Sequence, residues 1–234
     1  MKRGGFIWGA IMVCVVVVLA LPASRSVIMS TTVAHPYYMG IIKFAILASM
    51  GELLAIRITT GQWNIPCGMR YRTCFWGSLG FAMAAIVPLC AYGVSDCIQN
   101  GILYGARFHS PVIRAVWTSV LMNLSFGTVV MSAHRISDTY IDLAGGRLRN
   151  LPSVKIDKVL ATINWHSLVV VVLIKTVVFF WIPAHIITFL LPPVYRVLFA
   201  AILSFVLGVL LAFFKRYHAK PPMVTLKPET VLVP

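Results

Sequence analysis

Four polar residues interrupt long apolar stretches, and their chemistry is the most informative in the chain: Lys43, Glu52, Lys175 and His185. An ionisable side chain among apolar residues is costly unless it is paired or hydrated. Lys43 and Glu52 are nine residues apart, on opposite faces of one helix, so they cannot pair with each other. We hypothesise that Glu52 pairs with Lys175 of another helix, or that both line a polar cavity that begins a solute path. A dry structural ion pair explains these two residues equally well.

His185 follows Pro183 by two residues in the same apolar stretch. Proline removes a backbone donor and frees a carbonyl about one turn earlier, so a kink is expected there. A polar side chain beside a kink is suited to lining a cavity, which makes His185 a candidate lining residue together with the other three. The alternative is a histidine that only bonds to a neighbouring helix.

Patterns typical of enzymes are missing from the sequence. The chain has no GxSxG, no HExxH, no phosphate-binding glycine loop and no closely spaced pair of catalytic carboxylates. His134, Asp138 and Asp142 share helical spacing, and we interpret them as a solvated surface rather than a metal site. The five cysteines form no CxxC or Cys/His metal pattern. We therefore expect no enzymatic activity, no metal and no cofactor.

Composition predicts the environment of these residues. Of 234 residues, 59% are apolar and 11% are charged, whereas a soluble domain carries about a quarter charged residues. Such a chain cannot cover its surface with polar side chains, so lipid is its expected partner. The net charge of +14 does not indicate nucleic acid, because the basic residues lie between apolar stretches rather than on one face.

The expected fold is an all-α integral membrane protein, a bundle of about six transmembrane helices. Six stretches approach the roughly 20 residues that cross a bilayer; they are Gly4–Pro22, Tyr37–Ile58, Thr73–Val94, Pro111–Ala133, Ile163–Leu191 and Pro193–Phe214. Residues 1–24 are either a first transmembrane helix or a cleaved signal peptide, which would leave five helices. Residues 36–216 form the membrane core, and 217–234 form a short cytoplasmic tail. Pro192 and Pro193 predict a tight hairpin.

Basic residues are distributed unevenly between the two sides of this bundle. With a cytoplasmic N-terminus, fourteen Lys and Arg fall on the cytoplasmic side and four on the far side. The positive-inside rule predicts this asymmetry, so both termini are expected in the cytoplasm. A cleaved first segment would leave the same orientation for the other five.

Small residues recur every four positions along the last stretch: Ala200, Ser204, Gly208 and Ala212. Such a stripe permits close helix–helix contact in lipid. It could line a pore or form the seam of a homo-oligomer, and ordinary packing within one chain explains it too.

The region from Trp181 to Ala200 resembles a signature of the Mpv-type family of peroxisomal and mitochondrial inner-membrane proteins. The sequence reads W-I-P-A-H, then F-L-L-P-P-V-Y-R-V-L-F-A from Phe189. The motif residues are Trp181, Pro183, Pro192, Tyr195 and Arg196. Gly51-Glu52 resembles the Gly-Asp of the family, and His185 stands where the family has Gln. These departures suggest a distant branch, and we favour the bacterial cytoplasmic membrane over an organelle membrane.

The resemblance implies an all-helical membrane protein, sometimes described as a non-selective pore for small solutes. Together with the polar residues inside the stretches, it predicts a channel or facilitator for small polar solutes. The alternative is a non-transporting membrane scaffold that binds a partner or itself through the small-residue stripe.

Overall fold

The computed structural model describes residues 2–105 and 110–217, and its regular elements are all helical. We number the α-helices in chain order and name the two wide π-helical segments π1 and π2. The elements are α1 Lys2–Ala20, α2 Pro22–Ala34, α3 Pro36–Thr60, α4 Met69–Gln99, α5 Pro111–Met122, π1 Asn123–Gly127, α6 Thr128–Leu143, a 3₁₀ turn Leu148–Ser153, α7 Ile156–Thr162, π2 Ser167–Trp181, α8 Ile182–Leu190 and α9 Pro193–Tyr217.

Five continuous helical stretches are long and apolar enough to cross a membrane. They are Pro36–Thr60, Met69–Gln99, Pro111–Leu143, Ser167–Leu190 and Pro193–Leu210, where α5, π1 and α6 form one stretch and π2 and α8 another. Five of the six predicted stretches are thereby confirmed as helices of spanning length. The stretch predicted as Pro111–Ala133 continues to Leu143, because the more polar residues that follow Ala133 remain helical.

The first predicted stretch differs from the others. Its helix α1 ends at Ala20, and α2 begins at Pro22 after a bend of 85°. Proline is favoured at the first position of a helix, where its missing N–H has no intrahelical partner to lose. The described residues therefore contain five stretches long and apolar enough to cross a membrane, or six if the bent pair α1–α2 is counted as one.

The core of the bundle is the contact of α3 with α4 and α9. The backbone of Gly51 in α3 approaches that of Gly208 in α9, and a Cβ built on Gly51 would lie 2.8 Å from Phe205 Cα. Ala200 and Ala212 are buried at 1% and 3% exposure. Gly208 of the small-residue stripe thus serves packing within one chain, which is the ordinary one of the interpretations that the spacing allowed.

Helix α1 contacts this core through the side chain of Trp8. The indole of Trp8 donates a hydrogen bond of 3.1 Å to the carbonyl of Met50 in α3. The same ring packs against Trp63 and Phe205, with centroid distances of 5.6 and 6.3 Å. Aromatic contacts of this kind each add about 0.5–1.5 kcal/mol beyond simple burial.

We expect the protein isolated from its membrane to retain α1. A cleaved signal peptide has no need of contacts with the mature chain, whereas Trp8 makes three. The intact mass of protein purified from its membrane checks this expectation. A mass lacking the first 24 residues would show that the segment is a signal peptide.

Candidate functional site

A chain of buried polar groups joins the third spanning stretch to the fourth. Ser119 of α5 donates from its hydroxyl to the Ile182 carbonyl at 2.7 Å. The Asn123 amide nitrogen donates to the Ser119 carbonyl at 2.8 Å, and the Asn123 amide oxygen lies 3.0 Å from His185 Nδ1. These three side chains are at most 5% exposed. Buried polar groups are retained where they are hydrogen-bonded, so this network determines how the two stretches dock.

The hydrogen bonds of Asn123 assign the tautomer of His185. Because the Asn123 amide nitrogen donates to Ser119, its oxygen must accept from His185 Nδ1–H. In the neutral imidazole, a proton on Nδ1 leaves His185 Nε2 as an acceptor. Trp181 stacks on His185, with ring centroids 5.2 Å apart and planes inclined by 18°. Within the part of the chain that the structure describes, Trp181 Nε1 and His185 Nε2 are buried without a hydrogen-bond partner. The site therefore offers one free donor and one free acceptor on neighbouring rings.

Both rings line a cavity of about 40 Å³ at the centre of the bundle. All five spanning stretches contribute to its wall, which consists of Phe44, Leu79, Met83, Met122, Asn123, Phe126, Gly127, Val130, Met131, Val177, Trp181, His185, Ala200 and Ser204. The volume is enough for one or a few water-sized molecules. A water-sized guest that reached both ring nitrogens would accept a hydrogen bond from Trp181 Nε1 and donate one to His185 Nε2.

Two π-helical segments border this cavity. Asn123 opens π1 and Trp181 closes π2, while Thr176 within π2 donates to the carbonyl of Val171, five residues back. The backbone i→i+5 bonds of a π-helix are rare, usually form a single turn and occur frequently at functional sites. A π turn adds residues per turn, so it changes which side chains face inward relative to a regular α-helix. The two segments therefore help to place Asn123 and Trp181 at the cavity.

The other three candidate residues lie away from the cavity. Lys43 is buried, and its amine donates to the Thr32 hydroxyl of α2 at 2.7 Å. Glu52 accepts from Arg72 at 3.1 Å and from the Trp76 indole at 3.3 Å. Lys175 is exposed on the outer face of π2. The hypothesis of a Glu52–Lys175 pair is therefore wrong, and of the four residues only His185 lines this cavity.

Arg72 is the actual partner of the carboxylates. Its guanidinium lies 3.1 Å from Glu52, 2.9 Å from Asp138 and 2.7 Å from Asp142, and its own side chain is 8% exposed. His134 contacts Asp138 at 3.6 Å and packs on the Trp76 ring. We call Glu52, Arg72, Asp138 and Asp142 the charge cluster. The interpretation of these residues as a solvated surface is wrong for His134 and Asp138, which are 24% and 20% exposed and face Arg72 and its neighbours. Asp142 is 58% exposed and pairs with Arg72 from the surface.

The motif residues around the hairpin have structural roles. Helix α8 ends at Leu190 and α9 begins at Pro193, so Pro192 lies in the predicted break. Arg196 donates to the carbonyls of Leu191 and Phe189 at 3.0 and 3.1 Å. Last-turn carbonyls have no intrahelical donor, and Arg196 supplies one. Pro183 is the second residue of α8, directly after π2, and Tyr195 is 36% exposed at the start of α9.

Three residues of these networks were not identified as site residues from the sequence. Ser119 and Asn123 lie in the apolar stretch predicted as Pro111–Ala133, where Asn123 is the only amide side chain. That isolated amide was the available signal, since a lone carboxamide among apolar residues needs a partner. Arg72 was counted among the fourteen basic residues of the cytoplasmic side, just before the stretch predicted to begin at Thr73. Its helix begins at Met69, which places Arg72 inside the first turn rather than before it.

Comparisons of the chain with protein-family models, with curated proteins and with solved structures found no match. The likeness of the Trp181–Ala200 region to the Mpv-type family thus stays a resemblance carried by its own residues.

Proposed function

We propose that this chain is a multi-pass membrane protein that lets small uncharged polar solutes pass through the centre of its helix bundle. Insertion is supported by the outer surface of the spanning stretches, where large apolar side chains such as Phe179 and Leu89 are 79% and 66% exposed. An apolar surface of that extent is unsuited to water. The expected orientation, with both termini in the cytoplasm of a bacterial cell, belongs to this proposal.

The observation that carries the proposal is a pair of buried, unpartnered ring nitrogens on Trp181 and His185, two residues that line the central cavity. An unpaired polar group buried in a protein costs about 1–3 kcal/mol, so it is tolerated where a guest can satisfy it. Trp181 offers a donor and His185 an acceptor, a combination that suits a neutral molecule with both properties. Water, a small alcohol or a small amide has this chemistry.

The same wall disfavours ions. Its polar side chains are Asn123, Trp181, His185 and Ser204, and the rest is apolar. The carboxylates of the charge cluster and the amines of Lys43 and Lys175 are elsewhere. An ion entering this cavity would lose its hydration shell without meeting an opposite full charge, which is prohibitive in an apolar interior.

The alternative, a scaffold that acts through the small-residue stripe, loses its main support. Ala200 and Ala212 are buried and Gly208 packs on Gly51, so the stripe is already occupied by α3 of the same chain. A scaffold role would need a different surface.

We expect Ser204→Leu to reduce flux of small neutral solutes by about tenfold. The serine lies in the cavity wall, and a leucine there would fill a space of about 40 Å³ while leaving the His185–Asn123 bond intact. The measurement is stopped-flow light scattering of liposomes that contain the purified protein, with water and urea as neutral solutes and potassium chloride as the ionic one.

Ser78→Leu is the matched control. Ser78 bonds to the carbonyl four residues back, as Ser204 does, but it is exposed on α4 outside the cavity. Its flux should equal that of the wild type. Equal flux from folded Ser204→Leu and Ser78→Leu proteins, or wild-type flux no higher than that of empty liposomes, would refute passage through this cavity.

A further inference from the structure

Lys175 is a cation inside a spanning stretch, and its amine has no partner among the described residues. It lies in π2, whose other fourteen residues are apolar apart from Ser167 and Thr176. Across residues 2–105 and 110–217, it has neither a hydrogen bond nor an ion pair. Lys43, the other lysine inside a spanning stretch, is instead buried and bonded to Thr32.

The surroundings of Lys175 are apolar and exposed. Val171, Ile174, Val178 and Phe179 are 40%, 54%, 41% and 79% exposed. We call these four residues and Lys175 the Lys175 face. It is an outward apolar surface of π2, running from residue 171 to residue 179, with one positive charge in it.

The depth of Lys175 makes the charge costly in a bilayer. It is eight residues from Ser167, where its spanning stretch begins, which is at most about 12 Å along the helix axis. The four-methylene stem leans toward that end but is shorter than this distance, so the amine stays below the headgroups in an undistorted bilayer. Charged residues at such depth typically face a partner or mark a functional path.

A second copy of the chain does not offer the missing negative charge. Of the described carboxylates, Glu52 and Asp138 inside spanning stretches and Asp142 at the end of one all contact Arg72. Asp96 lies near the far end of α4, and Asp157 lies outside the spans in α7. Within the described ranges, a second copy thus has no free carboxylate at the depth of Lys175, which favours an occupant from another protein.

We propose that the Lys175 face is the docking surface for a transmembrane helix of a different protein, which carries an Asp or Glu at the depth of Lys175. Charge complementarity selects the acid, and the exposed side chains of Val171, Ile174, Val178 and Phe179 supply an apolar contact around it. The surface lies on the outside of the bundle, away from the central cavity, so docking is independent of any solute passage.

The test uses a synthetic probe helix in liposomes that contain the full-length protein. The probe is a 21-residue Leu/Ala helix with one central Asp and Lys residues at its ends, and a second probe has Leu in place of Asp. Energy transfer between labelled protein and labelled probe measures association. We expect the Asp probe to associate about tenfold more tightly than the Leu probe. Lys175→Leu should abolish that difference, and Lys175→Arg should retain it.

Lys158→Leu is the matched control, because Lys158 is also exposed but lies in α7 outside the spans. It should leave the Asp preference unchanged. Equal association of both probes with the wild type, or an Asp preference that survives Lys175→Leu, would overturn the proposal.

If the amine instead reaches a lipid phosphate, the wild type will show no Asp preference, and Lys175→Leu will lower the anionic lipid that copurifies. That outcome overturns the proposal as well.

Discussion

Replacing Arg72 with methionine is expected to destabilise the protein by about 3–5 kcal/mol, the usual cost of removing one partner of a buried ion pair. The Arg72 side chain is 8% exposed and contacts three carboxylates from two other helices, Glu52 of α3 and Asp138 and Asp142 of α6. Methionine fills a similar volume but leaves those carboxylates facing one another. The free energy of unfolding, measured by SDS titration of protein in detergent micelles, checks this value.

Arg70→Met is the matched control for Arg72→Met. Arg70 is exposed and only two residues away on the same helix, so its replacement should change the free energy of unfolding by no more than about 0.5 kcal/mol. Removing one negative charge from the charge cluster should restore part of the stability that Arg72→Met loses. Asp138→Asn added to Arg72→Met is expected to recover part of the loss, because it relieves repulsion with Glu52 and Asp142. Equal losses for Arg70→Met and Arg72→Met would show that the charge cluster contributes little.

Gly80→Ala is expected to cost about 2–3 kcal/mol, although it adds a single methyl group. The backbones of Gly80 in α4 and Gly40 in α3 meet directly, so a Cβ on Gly80 would clash with the carbonyl group of Gly40 and lie 2.8 Å from Phe44 Cβ. A backbone carbonyl cannot rotate away as a side chain can. The two helices would have to separate and lose part of their packing. The same SDS titration measures this effect.

Gly93 provides the comparison for Gly80 on the same helix. No atom lies within 4 Å of a Cβ built on Gly93, and the residue is exposed. Gly93→Ala should therefore leave stability unchanged or raise it, because alanine is the better helix former by about 1 kcal/mol. A Gly80→Ala protein as stable as Gly93→Ala would mean that α3 and α4 do not approach as closely as described.

Features that depend on local sequence could be predicted. Runs of apolar residues determine where a spanning helix can form, and five of the six stretches are helices of spanning length. Pro192 and Pro193 lack backbone donors, so the break between α8 and α9 follows from their positions. His185 beside Pro183 was a candidate lining residue, with a bond to a neighbouring helix as the alternative, and the structure has both.

Features that depend on how helices are rotated against one another could not be predicted. The sequence determined that Glu52, Arg72, Lys175 and His185 lie in or near spanning helices, but only the tertiary structure decided which of them meet. Glu52 meets Arg72 because Gly40 and Gly80 let α3 and α4 approach closely along one side. Lys175 faces outward from π2, where i→i+5 bonding changes the number of residues per turn. A helical wheel assumes 3.6 residues per turn, so side-chain directions along a π segment of 15 residues could not be derived from spacing alone.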